Sequence, residues 1–344
     1  MADFQTSTHR QHWILSRQDL AQKYQIANQR AIQMLLKYGA TRVEVQQDGS
    51  LVYPGTPLET ERNGTERHTS LPEPLTIDEE FLIRRYYELK IQQVCAAFAF
   101  PNKIQATAVL FFKRFYLQWS VMEHDPKHIM LTCIYLSCKV EEFHVSAEEL
   151  GKGIQQDPQV VLKNELTVLQ GLHFDLIVYA PYRSLDGFLF DMENFVQGTN
   201  NSSTQKLQEL KEAAKFVVDT VILTDCPLLF TPGQLALAAL RKANLEERAV
   251  DFERYLQSLC DRHPKHTFKE LTLTFDAIDT TVDVSRQPKE ADLMPIDRKL
   301  KYCRNPGLQD ESKKRERKVK HKSKRVSQDT SMTTTVDASP MYVC

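Results

Sequence analysis

Between residues 139 and 148 the chain gathers Lys139, Glu141, Glu142, His144 and Glu148. Carboxylates beside an imidazole are the donors of a metal centre or of general acid–base chemistry. Their spacing argues against both. No H-E-x-x-H occurs, and the two Glu close an apolar run instead of lining one helix face. His124 and His128 stand four apart, but Pro126 opens a helix between them. Gly-Lys-Gly at 151–153 lacks the flanks of a phosphate loop, there is no G-x-G-x-x-G, and no Ser–His or Cys–His pair stands out. The reading assigns no catalytic residue, no metal ligand and no cofactor.

What remains is charge at the end of a buried segment. In "MLTCIYLSCKVEEF" (130–143), apolar or small side chains occupy nearly every helical face up to Cys138, as in a helix surrounded by others. Lys139 suits the negative end of the helix dipole. Glu141 and Glu142 do not, at about 0.3–1 kcal/mol each. Either the helix emerges into water there, or a second protein meets its end.

The elements around this point read as helices bounded by caps, Pro or Gly. A helix is expected over 12–38, stopped by Gly39. Residues 39–76 show no periodicity and read as a linker or mobile loop. From 77 five helices follow: one capped by Thr76 or Asp78 and running to Phe100, one with Asn102 as N-cap, one opened by Asp125-Pro126, a short one at Val145-Ser146, and one from Asp157-Pro158 to Gly171. The order then repeats. Pro126-x-x-Ile129-x-Leu131-x-Cys133-Ile134 matches Pro232-x-x-Leu235-x-Leu237-x-Ala239-Leu240 at an offset of 106, which predicts a duplicated five-helix unit. The domain reading is an N-terminal helix (1–38), the linker (39–76), a first unit (77–179), a second (180–285), a C-terminal helix (286–305) and a disordered basic and Ser/Thr-rich tail (306–344). The fold class is all-α.

Composition fits. The 344 residues include 42% apolar side chains and only 11 Gly, which disfavours an all-β chain. No apolar stretch reaches the roughly 18–20 residues of a membrane span, and the N-terminus lacks an apolar signal core. Seven scattered Cys without a C-x-x-C pair suggest reduced thiols and an intracellular home. Net charge is −1, but residues 313–325 carry +8, which leaves −9 on the remainder. That disfavours a nucleic-acid grip by the folded part. The basic run, with Lys313, Lys314, Arg315, Arg317, Lys318 and Lys320, reads as a nuclear localisation signal. Contact with nucleic acid or acidic protein is its alternative.

A buried third helix ending Lys-Val-Glu-Glu, before a fifth helix that carries a Glu, resembles the cyclin box, and two five-helix boxes in tandem resemble the cyclin family. "FKRFYLQWSVMEHDPKHIMLTCIYLSCKVEEFHVS" (112–146), "LHFDLIVYAPYRSLDGFL" (172–189), "LTDCPLLFTPGQLAL" (223–237), the His12-Trp13 pair and the helix after the second box carry the likeness, over roughly 5–305. The resemblance implies a regulatory subunit and not an enzyme. Its kinase-binding residues would be Lys139 and Glu165 together, with Val140, Phe174 and Leu176 as apolar contacts and Glu141 and Glu142 beside them. "FLIRRYYEL" stands where some cyclins carry an M-R-A-I-L-like substrate-docking stretch, so docking there is not expected. The implied partners are a cyclin-dependent kinase (the CDK-activating kinase catalytic subunit), a RING-finger assembly factor and the TFIIH core. The implied substrates are other cyclin-dependent kinases and the RNA polymerase II C-terminal repeat. The implied location is the nucleus, with cytoplasmic protein also allowed. The alternative from a different class is a cyclin-box adaptor that contacts promoter DNA. It calls for basic residues over a box face and a zinc ribbon upstream, and this chain has neither.

Overall fold

The computed structural model describes residues 3–45, 51–53, 71–196, 202–263, 266–285 and 288–308. The tail from 309, with the six basic residues of the proposed localisation signal, lies outside the described residues. The chain is all-α. After a 3₁₀ turn (Phe4–Thr6) come α1 (Thr8–Trp13) and α2 (Arg17–Tyr38). A first unit follows: α3 (Ile77–Ala97), α4 (Asn102–Gln118), α5 (Pro126–Val140), α6 (Ala147–Ile154), α7 (Pro158–Lys163) and α8 (Glu165–Gly171). The second holds α9 (Pro181–Val196), α10 (Ser202–Ile222), α11 (Cys226–Leu229), α12 (Pro232–Glu247), α13 (Phe252–Arg262) and α14 (Phe268–Val284), and α15 (Glu290–Arg304) closes the chain. A two-residue antiparallel ladder pairs Glu44–Val45 with Leu51–Val52.

Most expected boundaries hold for their stated reasons. Thr76 and Glu79 form a reciprocal capping box at α3, as Ser146 and Glu149 do at α6. Asp125 and Asp157 cap helices whose first residue is Pro. Gly39 ends α2 in the left-handed region, φ 73°. Pro126 and Pro232 both sit at the first position of their helices, α5 and α12, so the 106-residue repeat is structural.

Three expectations are corrected. The helix expected over 12–38 is broken, because Leu15 donates its N–H to the Leu228 carbonyl (2.7 Å) and Ser16 caps α2 through the Asp19 N–H. The fifth helix is split at Asn164, whose side-chain amide takes the Val160 carbonyl (2.7 Å) that the backbone would have used. Pro101, not Asn102, is the N-cap of α4. Parts of the expected linker are strapped down. Thr41 donates its N–H to the Cys303 carbonyl and its hydroxyl to the Met122 carbonyl, and Tyr53 donates to Glu123.

In the first unit α5 is central and packed by α3, α4, α7 and α8. Ile129, Met130, Leu131, Cys133, Ile134, Leu136 and Cys138 are all buried. Two histidines are sealed into the same half. His9 accepts the Tyr179 N–H at Nδ1 (3.0 Å), and His124 lies edge-on to Trp119. Burial holds both near pKa 3, with neighbouring Arg charges adding to it. The unfolded chain takes up these protons below about pH 6.5, whereas the folded chain does not until about 3. Their contribution is therefore complete above 6.5 and lost as pH falls. Between pH 7 and 5 each should remove about 2 kcal/mol of unfolding free energy. Denaturant unfolding at both pH values checks this: His124→Phe should flatten the pH dependence, and an unchanged slope would refute the assignment.

Candidate functional site

The opening charge cluster is assembled by two helix ends. Lys139 lies in the last turn of α5 and Glu165 is the first residue of α8, so each charge sits where the dipole of its own helix favours it. Lys139 Nζ donates to Glu165 Oε1. That hydrogen bond raises the Lys139 pKa, so the ammonium stays charged. The pair is open to solvent, with the Lys139 side chain 49% exposed, and α5 anchors it from beneath.

The chain leaves α5 through a tight reversal. Phe143 N–H returns to the Cys138 carbonyl (2.8 Å) and Glu142 N–H to the Lys139 carbonyl (3.3 Å), a Schellman arrangement with Glu142 at φ 56°. Glycine would adopt that conformation freely. Glu142→Gly should thus raise stability by about 0.5–1 kcal/mol in thermal unfolding. A loss of stability would show that the Glu142 side chain holds the turn. The two Glu differ in surroundings. Glu141 accepts the Thr107 hydroxyl (2.7 Å), while Lys103 donates to its carbonyl oxygen (2.8 Å). Glu142 points into solvent, with no partner among the described residues.

A second reversal ends α8. His173 and Phe174 both take positive φ (52° and 59°), and Phe174 N–H reaches back to the Leu169 carbonyl. A bulky aromatic in this region costs on the order of 1–3 kcal/mol and persists only where its surroundings enforce it. Those surroundings are present. Buried Arg114 donates to the carbonyls of Asp175 and Ile177, and the Asp175 carboxylate is hydrogen-bonded to His12 Nδ1 (2.7 Å) and accepts from Trp13 Nε1 (3.2 Å). Burial lowers the Arg114 pKa to about 9, still charged at neutral pH. The clamp leaves Phe174 59% exposed, whereas Leu176 and Val140 are half-buried against the core.

The predicted residues therefore occupy two helix ends joined by one ion pair, with Phe174 outward and Val140 and Leu176 partly inward. Leu162 and Leu166 were not anticipated. They flank Glu165 in the chain and are exposed, as are Phe143 after α5 and Ile177 after α8. The signal was legible: Val161 and Val168 form a buried stripe of this helical stretch, and Leu162 and Leu166, four apart, form a second stripe that the core does not need. Exposed apolar side chains on the helix ends that carry an ion pair have the composition of a protein-binding patch. No cluster of His, Cys, Asp or Glu suited to a metal occurs among the described residues, and no described helix is long and apolar enough to cross a membrane.

Comparison with known proteins identifies the class. The profile of the cyclin N-terminal domain matches residues 59–177, and that of the cyclin C-terminal domain matches 180–285. The chain belongs to the cyclin family, whose members are regulatory subunits and not themselves kinases. Within the family its similarity runs to cyclin H. It is 54% identical to Cyclin-H1-1 of Arabidopsis thaliana, over 92% of this chain and 93% of that one. It is 33% identical to Cyclin-H of Xenopus laevis, over 65% and 71%. Two solved structures share the fold: a chain of the CAK complex of Chaetomium thermophilum bound to ATP-γ-S (TM-score 0.71, 22% identity, 98% of each chain) and one of the yeast TFIIK (Kin28/Ccl1/Tfb3) complex (0.61, 24%, 81% of this chain and all of that one).

Proposed function

We propose that this chain is the cyclin subunit of a CDK-activating kinase. The observation that carries the reading is the near full-length identity to Cyclin-H1-1. In this reading Lys139 and Glu165 grip the kinase together, and Val140, Phe174, Leu176, Leu162 and Leu166 supply apolar contact. Glu141 steadies the turn from within, and solvent-facing Glu142 is the more available of the two for a contact. The grip presses the kinase's mobile helix inward, which completes the kinase's own Lys–Glu ion pair and helps order its activation loop. A contact held on packed helices loses little conformational entropy on binding.

The rest of the assembly is part of the same proposal. The yeast complex that shares the fold contains Kin28 and Tfb3 beside its cyclin. We assign this chain a kinase and a RING-finger assembly factor as partners, attachment to the TFIIH core, and support for phosphorylation of other cyclin-dependent kinases and the RNA polymerase II C-terminal repeat. No observation favours the promoter-DNA adaptor. The test is reconstitution: purified chain added to a CDK-activating kinase catalytic subunit should raise phosphorylation of a C-terminal-repeat peptide. An unchanged rate at saturating chain would refute the reading. The location assigned is nuclear, with residues 313–325 as the import signal. Removal of 306–344 should abolish nuclear accumulation of a fluorescent fusion, and undiminished accumulation would discard the signal.

A further inference from the structure

The turn that carries Phe174 is held through the residue after it. Asp175 lies between exposed Phe174 and Leu176, which is half-buried against the core. Its N–H returns to the Leu172 carbonyl (2.9 Å), and its own carbonyl accepts from buried Arg114 (3.2 Å). Its carboxylate turns away from solvent, with the side chain 13% exposed. One oxygen, Oδ2, accepts from Trp13 Nε1 (3.2 Å) and is hydrogen-bonded to His12 Nδ1 (2.7 Å). Both partners ride on α1, which is fixed on either side of them. His9 Nδ1 accepts the Tyr179 N–H, and Leu15 donates its N–H to the Leu228 carbonyl. The Trp13 ring also stacks on His173 and lies 4.9 Å from the Arg114 guanidinium. A single carboxylate therefore ties the turn to an element that is itself held in place.

The turn needs that tie. His173 and Phe174 sit at positive φ, which neither residue type keeps unaided. Loss of the carboxylate removes the contacts that oppose this strain from one side. A turn that relaxes in the free chain must be reordered when a partner arrives, and that reordering weakens binding. We propose that Asp175 is a positioning residue for kinase binding: seated on α1, its carboxylate holds Phe174 outward and does not itself touch the partner. The inference rests on the reading of Phe174 as a kinase contact.

Calorimetric titration of full-chain variants against the CDK-activating kinase catalytic subunit tests it, beside a thermal melt of each variant. Phe174→Ala should weaken binding about tenfold or more, as loss of an aromatic anchor does. Asp175→Ala should weaken it severalfold, and Asp175→Asn, which keeps an oxygen for Trp13, should retain most of the affinity. The Asp175→Ala, Phe174→Ala double variant should bind no more weakly than Phe174→Ala alone, because Asp175 acts through that ring. Trp13→Phe keeps a ring beside Arg114 and removes only the Nε1 donor. It should fall between wild type and Asp175→Ala, and it carries the test if Asp175→Ala melts early. In the free chain, the Phe174 amide, bonded to the Leu169 carbonyl, should exchange faster in Asp175→Ala. Unchanged exchange, full affinity of Asp175→Ala, or additive losses in the double variant would each overturn the inference while Phe174 remained a contact. Additive losses would mean that the carboxylate meets the kinase directly or serves stability alone. Full affinity of Phe174→Ala would instead remove Phe174 from the interface, and the reading of the contact would fall together with the inference.

Discussion

Lys139→Ala and Glu165→Ala should each weaken binding to the kinase subunit by about 2–5 kcal/mol, with activation falling in step. The magnitude follows from what association does to the pair. In the free chain the ion pair is open to water, where such a pair is worth about 0–1 kcal/mol, so neither variant should unfold noticeably. Once a partner covers it, truncation of one member leaves the other buried and uncompensated. Because its hydrogen bond to Glu165 keeps Lys139 charged, Lys139 should not titrate across the physiological range. The double variant should lose less than the sum of the single losses, since the two groups act as one. Calorimetric titration against the kinase checks each value beside a thermal melt of the free chain. Full binding by both variants would remove the pair from the interface and leave the helix-end charges as a solvated surface.

The second large effect is on the fold. Lys113 Nζ of α4 lies 2.7 Å from Glu88 of α3, with Arg85 3.5 Å from the same carboxylate and every member nearly sealed from water. Burial raises the Glu88 pKa and lowers those of Lys113 and Arg85, each offset by its opposite charge. The cluster also ties the first unit to the second, where Lys113 donates to the Leu223 carbonyl just after α10 (3.5 Å). Lys113→Met or Glu88→Leu alone should cost about 3–5 kcal/mol of unfolding free energy, because each strands a buried charge. The pair of substitutions together should recover only part of that loss, because buried Arg85 is left without the Glu88 carboxylate. Denaturant midpoints check the cycle, and strict additivity would show that the charges do not act on each other.

These two sets of residues also mark how far the sequence could be read. Helix boundaries with their own chemistry, such as Thr76 with Glu79 or Asp125 with Pro126, were legible because a cap acts within four residues. So was α5, whose apolar faces leave it nowhere to lie but inside. The break at 14–16 was not, since it depends on a hydrogen bond from Leu15 to Leu228. The Glu88–Lys113 pair was hidden for the same reason: charges in an amphipathic pattern read as solvated until tertiary packing buries them. At the site, Lys139 and Glu165 came from a family likeness, and their meeting across 26 residues is a property of how α5 and α8 pack. The left-handed turn at His173–Phe174 carries no glycine to announce it. Its enforcement by Arg114, His12 and Trp13 draws on two distant parts of the chain, the N-terminus and α4.

The measurement that tests the central claim most directly is amide hydrogen exchange of the full chain, alone and saturated with the kinase subunit. The account predicts slowed exchange concentrated at 139–143 and 162–177, the two reversals and the helix end that carry Lys139, Glu165 and Phe174. Protection confined to the second unit, with these segments exchanging as in the free chain, would contradict it.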